Sequence, residues 1–262
     1  MEIKKLLTPY NHNKGTIDRI KYIVIHYVGA TGGAEANCKW YAGGNRSASA
    51  HYFVDFGGSI WQSVEDKDIA WHCGAKSYVH PECRNANSIG IEMCVRNNGS
   101  KADTSRDWYF EDATVKAAIE LTRELMTKYH IPADHVIRHY DVTGKICPNP
   151  YVYNDGKHTW EQFKAALTAP QEGWVKDAKG WWYRNADGSW PENEWKIVNH
   201  HWYLFGADGY MVTGWHRWDG HVVDPADGSG DWYYLEESGE YEGACWHEKP
   251  GGKGVLERWF VE

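Results

Sequence analysis

The sequence lacks long apolar runs and blocks of basic residues, and both absences limit what the chain can do. No stretch approaches the roughly 20 apolar residues that a membrane-spanning helix needs. The N-terminal MEIKKLLTPYNHN offers only Leu6 and Leu7 before Pro9, too little for the apolar core of a signal peptide. The formal net charge of -8 without a Lys/Arg cluster argues against binding nucleic acid or anionic membranes, and a cationic partner is better tolerated. We therefore expect a protein made in the cytoplasm without a signal peptide and without membrane insertion.

Cysteine is too sparse to dictate a disulfide-built fold. Three disulfides could form in a secreted protein, whereas a reducing compartment favours free thiols or metal ligands. We expect buried free thiols at the positions without metal-type spacing, with a Cys73–Cys83 pair as the alternative for those two. The six cysteines are Cys38, Cys73, Cys83, Cys94, Cys147 and Cys245.

Tryptophan is distributed unevenly and divides the chain. Eleven of the 16 tryptophans follow Pro170, although that tail is about a third of the 262 residues. A single core usually stops growing at about 250 residues, so an enzyme-sized domain followed by a smaller module is plausible. The predicted organisation is a catalytic domain over 1–168, a polar linker over 169–173 and a repeat domain over 174–262.

The first domain alternates strand and helix patterns, which predicts a mixed α/β fold with a central sheet flanked by helices. A β-branched run at 22–25 indicates a buried strand with His26 at or just past its end. Helices are predicted at 35–41, 110–129 and 159–167; the second has apolar positions at Ala113, Ala117, Leu121 and Leu125 and ends near Pro132. Further strands are predicted at 51–55 and 59–64, joined as a hairpin by Phe56-Gly57-Gly58, and at 88–95 and 135–139.

The tail contains an internal repeat: GWWYRNADGSWPENEW, HHWYLFGADGYMVTGW and GDWYYLEESGEYEGACW. Its units start 20 and then 30 residues apart, the longer gap holding the insertion 219–230. In each unit a Trp-Tyr pair and a glycine turn precede a second tryptophan, and the pairs are Trp182-Tyr183, Trp202-Tyr203 and Trp232-Tyr233. One hairpin cannot bury such an aromatic face alone, so we expect a small all-β hairpin-repeat solenoid.

A possible metal site lies in RHYDVTGKICPNP, residues 138–150. A catalytic zinc takes three protein ligands and leaves the fourth position for water. His139 and Cys147 could supply two ligands, and His26, at the end of a strand, is the best candidate for the third. The spacing alone is a weak signal, and by itself it favours a loop histidine and a buried free thiol.

Five motifs in order connect the first domain to a known family. They are IVIHYV, SAHYFVD, AWHCG, NSIGIEMC and RHYDVTGKICPNP, within a match that runs from about Tyr22 to Phe163. The chain resembles the zinc-dependent N-acetylmuramoyl-L-alanine amidases of the type 2 family, which includes peptidoglycan recognition proteins and phage endolysins. The resemblance implies that His26, His139 and Cys147 bind Zn²⁺.

The same resemblance implies the catalytic residues. Glu92, in the SIGIE motif, would exchange protons with the attacking water and the leaving amine, and Lys145 would stabilise the oxyanion. Some members have a helper tyrosine where this chain has Ala50, which puts a tyrosine role in doubt. His51 and His72 could line the groove or be structural, and Arg138 is expected to hold the loop by pairing with a carboxylate.

The tail repeats resemble the choline-binding modules of enzymes that attack Gram-positive walls. Aromatic cages of this kind hold quaternary ammonium groups by cation-π attraction. Arg184 and Leu204 stand where the third unit has Tyr234, so some cages are expected to be incomplete. A homodimer through the repeats is one way to stabilise so few units. The implied choline-binding residues are Trp174, Trp182, Trp195, Trp202, Tyr210, Trp215, Trp232 and Tyr234.

The sequence thus predicts an endolysin or autolysin that cuts the amide between N-acetylmuramic acid and L-alanine in peptidoglycan, acting on the wall after release from the cytoplasm. Its predicted partners are peptidoglycan and choline or a choline-bearing wall polymer. Two alternatives remain: a non-catalytic peptidoglycan-binding protein, and a cysteine hydrolase with Cys147 as nucleophile and His139 as base.

Overall fold

The computed structural model describes residues 2–223, 229–248 and 256–260. Part of the predicted insertion, residues 224–228, and parts of the predicted repeat domain, 249–255 and 261–262, lie outside these ranges. The chain divides into two separately packed units, Met1–Ala169 and Pro170–Glu262. Within the described ranges, we find no helix with the length and apolar character needed to cross a membrane.

The first unit alternates strands and helices. Its strands are β1 (Ile3–Lys5), β2 (His12–Asn13), β3 (Tyr22–Tyr27), β4 (Tyr52–Val54), β5 (Ile60–Gln62), β6 (Ile69–Ala70), β7 (Ser88–Met93), β8 (Arg96–Asn97), β9 (Trp108–Tyr109) and β10 (Val136–Arg138). Its helices are α1 (Ala34–Ala42), α2 (Asp112–Tyr129), α3 (His139–Thr143), α4 (Asn149–Tyr153) and α5 (Trp160–Thr168).

Over residues 2–169, a six-stranded mixed sheet in the order β1-β5-β4-β7-β3-β10 forms the centre of the unit. Strands β4, β7, β3 and β10 run parallel to one another, and β1 runs parallel to β5, whereas β4 and β5 form the predicted antiparallel hairpin. All six residues of β3 are buried, as expected for a parallel strand covered on both faces. The mixed α/β architecture with a central sheet is confirmed.

The two faces of β3 and β7 carry different kinds of side chain. Ile23, Ile25 and Tyr27 join the main core with α2 and α5, together with Ile89 and Ile91 of β7. Because side chains alternate along a strand, the intervening residues His26 and Glu92 lie on the opposite face. One face of these two strands is therefore apolar, and the other carries ionisable groups.

Helix α2 buries one stripe against the sheet, and the stripe differs in part from the predicted one. Ala117, Leu121 and Leu125 are buried as expected. Ala113 is exposed because it lies to the side of the buried stripe, which is centred on Thr114, Ala118 and Leu125. The helix ends at His130, whose positive φ of 54° breaks the helical run before Pro132 is reached.

Two predicted boundaries near the candidate site need correction. Strand β3 continues through His26 to Tyr27, so His26 is its penultimate residue. The last predicted strand stops at Arg138, and His139 instead begins the short helix α3. Most of the segment 138–150, which contains the two candidate ligands His139 and Cys147, folds into α3 and the start of α4. Helix α3 ends at Gly144, whose φ of 80° suits glycine.

A buried carboxylate ties the sheet to the end of α2. Asp66 is only 9% exposed at its side chain. It accepts hydrogen bonds from the hydroxyls of Tyr52 and Tyr129, from Gln62 Nε2 at 2.9 Å and from Lys128 Nζ at 3.0 Å. Burial by itself would raise the pKa of Asp66, but the hydrogen bonds from the tyrosines and the lysine outweigh it and lower the pKa.

We expect Asp66→Asn to lower the free energy of unfolding at pH 7 by about 2–3 kcal/mol, since hydrogen bonds to a charged acceptor contribute about 1.5–3 kcal/mol. Because the folded-state pKa is depressed, this stabilisation is complete above the ordinary carboxyl pKa of about 3.9 and is lost as pH falls through the lower folded-state pKa. Urea unfolding at pH 7 and pH 3 measures the loss of stability and its dependence on pH. Hydrogen exchange of the amides of β3 shows which unfolding transition belongs to the first unit. The exposed Asp18→Asn is the control, and equal stability of the two variants at pH 7 would contradict the assignment.

The second unit consists of small β-hairpins. Its described strands are β11 (Gly173–Lys176), β12 (Trp181–Arg184), β13 (Glu194–Val198), β14 (His201–Phe205), β15 (Gly214–Trp218), β16 (Val222–Val223), β17 (Asp231–Leu235), β18 (Cys245–Glu248) and β19 (Leu256–Arg258). Three repeat hairpins arise from β11 with β12, β13 with β14, and β15 with β17. Strand β11 begins inside the segment predicted as a linker.

The strand register corrects the predicted repeat alignment. Trp174, Trp195 and Trp215 lie opposite Tyr183, Leu204 and Tyr234. These three partners are therefore equivalent positions of the repeat. The residues two positions before them are Trp181, Trp202 and Trp232, so Trp181 is the equivalent of Trp202 and Trp232. The prediction that aligned Trp182 with them is wrong by one residue. Trp181 and Trp202 each follow the first tryptophan of their hairpin, Trp174 and Trp195, by seven residues, so the spacing in the sequence already favours Trp181.

Consecutive hairpins pack face to face. Trp174 of the first hairpin contacts Tyr203 of the second, with ring centroids 4.7 Å apart. Trp195 of the second contacts Tyr233 of the third at 5.0 Å, in a cluster that includes Leu204. The tryptophan face of each of these two hairpins is therefore covered by the opposite face of the following one.

Candidate metal centre and aromatic sites

Three ionisable side chains meet at the carboxyl ends of adjacent parallel strands. His26 is the penultimate residue of β3 and is in register with Glu92 of β7, while His139 follows β10 directly. Parallel strands end at a common edge, which is where ligands bind in open α/β sheets. The fold thus brings His26 to His139, although the two are more than 100 positions apart in sequence.

His26, His139 and Cys147 offer a compact set of ligand atoms. The three atoms lie within 4.8 Å of one another, and Cys147 Sγ is 3.6 Å from His26 Nδ1. Tetrahedral zinc, with bonds of about 2.0–2.3 Å, holds such atoms roughly 3.3–3.8 Å apart, so only a small contraction is needed. Nδ1 of His139 is buried without a hydrogen-bond partner among the described residues. Two imidazoles and one thiolate fit zinc.

The protonation states of the two histidines suit metal ligands. Burial, followed by the neighbouring His139, lowers the pKa of His26 well below its ordinary value; burial, followed by Lys145, lowers that of His139 to about 3. Both imidazoles are therefore neutral and keep lone pairs for a metal. Burial raises the pKa of the Cys147 thiol, so thiolate formation is coupled to cation binding.

Glu92 lies beside this set with one oxygen unengaged. Its side chain is 16% exposed, and Oε1 is 3.9 Å from His26 Nδ1. Oε2 is buried and has no hydrogen-bond partner within the described part of the chain. Burial raises the pKa of Glu92 to about 8, against the opposing attraction of Lys145. A cation bound nearby would bring this pKa down, into the range of a general base near neutral pH.

The segment after β10 is held by local hydrogen bonds. Arg138 pairs with both carboxylate oxygens of Asp141, at 3.0 and 2.7 Å, which confirms the expected loop-holding role. The amide of Tyr140 donates to the carbonyl of Cys147, and the amide of Cys147 donates to that of Lys145, each at 2.7 Å. These bonds fix the path of the chain between the two ligands.

Lys145 and the candidate ligand His139 line one cleft. A cavity of about 950 Å³ is lined by Trp71, His72, Lys76, His139 and Lys145 among others. It is large enough for an extended ligand, given that small-molecule sites span about 300–1,000 Å³. Lys145 is exposed. Its positive charge opposes the rise that burial causes in the pKa of Glu92, and it adds to the fall that burial causes in the pKa of His139. The lysine is therefore close enough to act on charge that develops beside them.

The two histidines left open by the sequence have different surroundings. His51 is fully buried; its Nδ1 accepts from the amide of Gly90 at 3.0 Å, and its Nε2 lies 3.1 Å from the carbonyl of Asp68. These contacts make His51 structural. His72 lines the cleft and contacts His26. Ala50, at the helper-tyrosine position, is buried.

All six cysteines lie among the described residues and are free, buried thiols. This confirms the preferred prediction over a disulfide framework. Cys73 and Cys83 pack in one cluster with Val24 and Val142. Cys245 packs with Leu204 and Leu235 in the second unit. Of the six, Cys147 alone joins a candidate metal set in the described ranges.

Five of the predicted choline-binding residues line two aromatic cavities in the second unit. Trp182 and Tyr210 line a cavity of about 240 Å³ together with Trp190, Asp177 and Asp208. The second cavity, of about 290 Å³, contains Trp215, Trp232 and Tyr234, closed by Trp246. Trp190 was missed by sequence reasoning; its only signal is its place just after the Asp187-Gly188 turn.

The other three predicted residues have different positions. Trp195 and Trp202 pack with Leu204 and Leu235 between the second and third hairpins. Trp174 packs against Tyr203, at the wall of a smaller cavity of about 180 Å³. These tryptophans are part of the packing between hairpins, because a repeat of this kind has little other apolar surface to bury.

Comparison with known proteins agrees with this geometry. The family model described as N-acetylmuramoyl-L-alanine amidase matches residues 16–150, just over half of the chain. A probable N-acetylmuramoyl-L-alanine amidase of Bacillus licheniformis is 33% identical over 148 residues, which cover 53% of this chain and 39% of that relative. The chain thus spans about two fifths of the length of this curated relative.

Solved structures match the first unit as well. The structure of PlyL superposes with a TM-score of 0.53 at 27% identity, covering 65% of this chain and 99% of PlyL. A mutant endolysin from Bacillus subtilis gives a TM-score of 0.50 at 26% identity, covering 64% of this chain and 99% of its own. From the match of the family model, which includes the candidate metal centre, the chain belongs to the N-acetylmuramoyl-L-alanine amidase family.

Proposed function

We propose that the first unit is a zinc-dependent N-acetylmuramoyl-L-alanine amidase that hydrolyses the amide between the lactyl group of N-acetylmuramic acid and L-alanine in peptidoglycan. The observation that carries the proposal is the set of His26, His139 and Cys147 at one sheet edge, with the unengaged carboxylate of Glu92 beside it. Membership of the amidase family gives independent support.

Each residue of the site has a distinct role in this reaction. Bound zinc supplies a Lewis acid and a water of lowered pKa. Glu92 accepts the proton of the attacking water and then donates it to the departing amine of L-alanine. Lys145 provides a fixed positive charge near the substrate carbonyl, whose oxygen becomes negative in the transition state. The cleft lined by Trp71 and Lys76 holds the wall fragment in place.

Two observations bear on the alternatives. A cysteine nucleophile needs a depressed thiol pKa, whereas burial raises the pKa of Cys147. A non-catalytic wall-binding protein has no need for a buried carboxylate oxygen without a hydrogen-bond partner next to a metal set. Among the described residues, Glu92 Oε2 is such an atom.

Metal removal and thiol alkylation separate these functions. We expect dialysis against a zinc chelator to abolish wall hydrolysis, and added Zn²⁺ to restore it. Alkylation of the zinc-loaded protein should have little effect, because Cys147 is only 2% exposed. Activity that survives complete metal removal but is lost on alkylation would establish the cysteine hydrolase instead.

For the second unit, we propose that the hairpins form a short β-solenoid whose aromatic cavities bind quaternary ammonium groups, such as the choline of a wall polymer. The first cavity combines aromatic rings with the carboxylates of Asp177 and Asp208, which suits a cation. The ammonium of Lys179 already lies 4.5 Å from the Tyr210 ring centroid and 2.8 Å from Asp208 Oδ2. This contact supports the capacity of the site for positive charge.

Two tryptophan variants distinguish binding from packing in the second unit. Trp232→Ala should reduce retention on a tertiary-amine resin with little loss of stability, because Trp232 is 49% exposed and lines the second cavity. Trp195→Ala should cost roughly 3 kcal/mol of stability, since it removes a ring packed between two hairpins. Choline elution and thermal unfolding measure the two effects. Retention of Trp232→Ala equal to that of the unaltered protein would contradict the cage assignment.

By this proposal the protein is an endolysin-type enzyme, made in the cytoplasm and acting on the wall after release. The structural match to a Bacillus subtilis endolysin supports the lytic role. Aromatic cavities in the second unit would concentrate the enzyme at its substrate by adding a second attachment to the wall.

A further inference from the structure

A chain of three hydrogen bonds leads from the metal set into the protein interior. His26 Nε2 lies 3.0 Å from His72 Nδ1. His72 Nε2 lies 3.1 Å from the hydroxyl oxygen of Ser88. That hydroxyl lies 2.7 Å from the carbonyl oxygen of Arg84. His26, His72 and Ser88 are all buried, at 1%, 9% and 0% exposure.

The last bond fixes the direction of the others. A carbonyl oxygen can only accept, so Ser88 donates its one proton to Arg84. Ser88 must then accept from His72, which places the proton of His72 on Nε2. His72 Nδ1 is left as an acceptor, and it must receive the proton on His26 Nε2. His26 Nδ1 therefore keeps its lone pair, and this atom faces Cys147 Sγ at 3.6 Å.

The ring of His72 is held firmly in this orientation. A Cβ at Gly90 would lie 2.5 Å from His72 Cγ, so the ring fills the space left by that glycine. Asn85 Oδ1 accepts the backbone amides of His72 and Cys73, at 3.1 and 2.7 Å. Both the ring and its backbone are fixed before any ligand binds.

We propose that His72, held by Ser88, is a positioning residue that sets the tautomer and orientation of His26 for metal binding. The inference rests on the proposed metal centre and adds two residues outside the ligand set. A metal-binding histidine whose other ring nitrogen donates to a fixed acceptor is a stronger ligand, and loss of such a partner typically costs about 10–100-fold in metal affinity.

Zinc affinity, measured by competition with a chromophoric chelator, tests the proposal. His72→Leu removes the acceptor and should weaken zinc binding by about 10–100-fold. His72→Asn, whose side-chain oxygen can stand near the position of Nδ1, should recover most of that loss. Ser88→Ala should give an intermediate loss, because the His72 proton is then no longer directed to Nε2. His135→Leu, a histidine that contacts the carbonyl of Lys21, is the control and should bind like the unaltered protein.

A spectroscopic test does not depend on variants or on activity. Long-range ¹⁵N–¹H correlation spectra of the zinc-free protein should show His26 and His72 both protonated at Nε2 only. His26 protonated at Nδ1 would overturn the proposal, as would unchanged zinc affinity in a folded His72→Leu variant. If His72→Leu fails to fold, Ser88→Ala and the spectra decide the question.

Failure of this inference can be told apart from failure of the proposed function. If the unaltered protein binds no zinc, the metal-dependent function is wrong whatever the tautomers are. If it binds zinc and hydrolyses walls, but His26 carries its proton on Nδ1, the function stands and the role of His72 falls.

Discussion

Replacing Glu92 with glutamine should lower kcat for wall hydrolysis by about 10²–10⁴-fold while zinc still binds, because the amide cannot take a proton from water or return it to the leaving amine. Glutamine keeps the size of the side chain, and Glu92 is not one of the three candidate ligands. The loss should therefore be a loss of catalysis rather than of metal or fold.

The measurement is the initial rate of lysis of purified walls at matched zinc occupancy, with zinc content determined on the same samples. Glu120→Gln, an exposed position on α2, is the matched control and should leave the rate unchanged. Normal lysis by Glu92→Gln would show that another group is the base.

Replacing Cys147 with alanine should have the opposite signature, with zinc lost first and activity lost as a consequence. Removal of a direct ligand should weaken zinc binding by more than the roughly 10–100-fold typical of an outer hydrogen-bond partner. Cys94→Ala is the control, since Cys94 is an equally buried free thiol that packs beside Ala50 and Phe53, outside the candidate metal set.

Zinc affinity and lysis should be measured on both cysteine variants. The account expects Cys94→Ala to bind zinc normally despite some loss of stability, and Cys147→Ala to be inactive at zinc concentrations that saturate the control. Undiminished zinc affinity in Cys147→Ala would remove this residue from the metal centre. The Glu92 and Cys147 variants together therefore separate proton transfer from metal binding.

The geometry of the centre could be anticipated because strand ends are readable in sequence. The β-branched run before His26 predicts a buried strand that ends near this residue, and His139 is predicted at the end of another strand. Where such strands are parallel, their last residues reach one edge of the sheet. Cys147 was a candidate ligand from its place after His139, and the motif resemblance supported it. Its 3.6 Å approach to His26 depends on the fold of α3 and the following turn. Sequence could not predict that fold, since short helices of five residues carry almost no periodic signal.

The role of His72 could not be read from sequence for a different reason. Its proton position follows from Ser88 and the carbonyl of Arg84, and a backbone carbonyl leaves no trace in residue identity. The tail shows the opposite case, in which the sequence contained the signal. Trp174 and Trp181 are seven residues apart, as are Trp195 and Trp202, so the spacing selects Trp181 over its neighbour Trp182. The error matters because a shift of one residue reverses the face to which a strand side chain points.

The identity of the bond that is cut tests the central claim most directly. Peptidoglycan digested with the zinc-loaded protein in H₂¹⁸O should be analysed by mass spectrometry. The account predicts stem peptides with a free L-alanine amino terminus, together with peptide-free muramic acid residues that carry one ¹⁸O in the lactyl carboxylate. New reducing sugar ends, cleavage within the stem peptide, or intact walls from a fully zinc-loaded sample would contradict it.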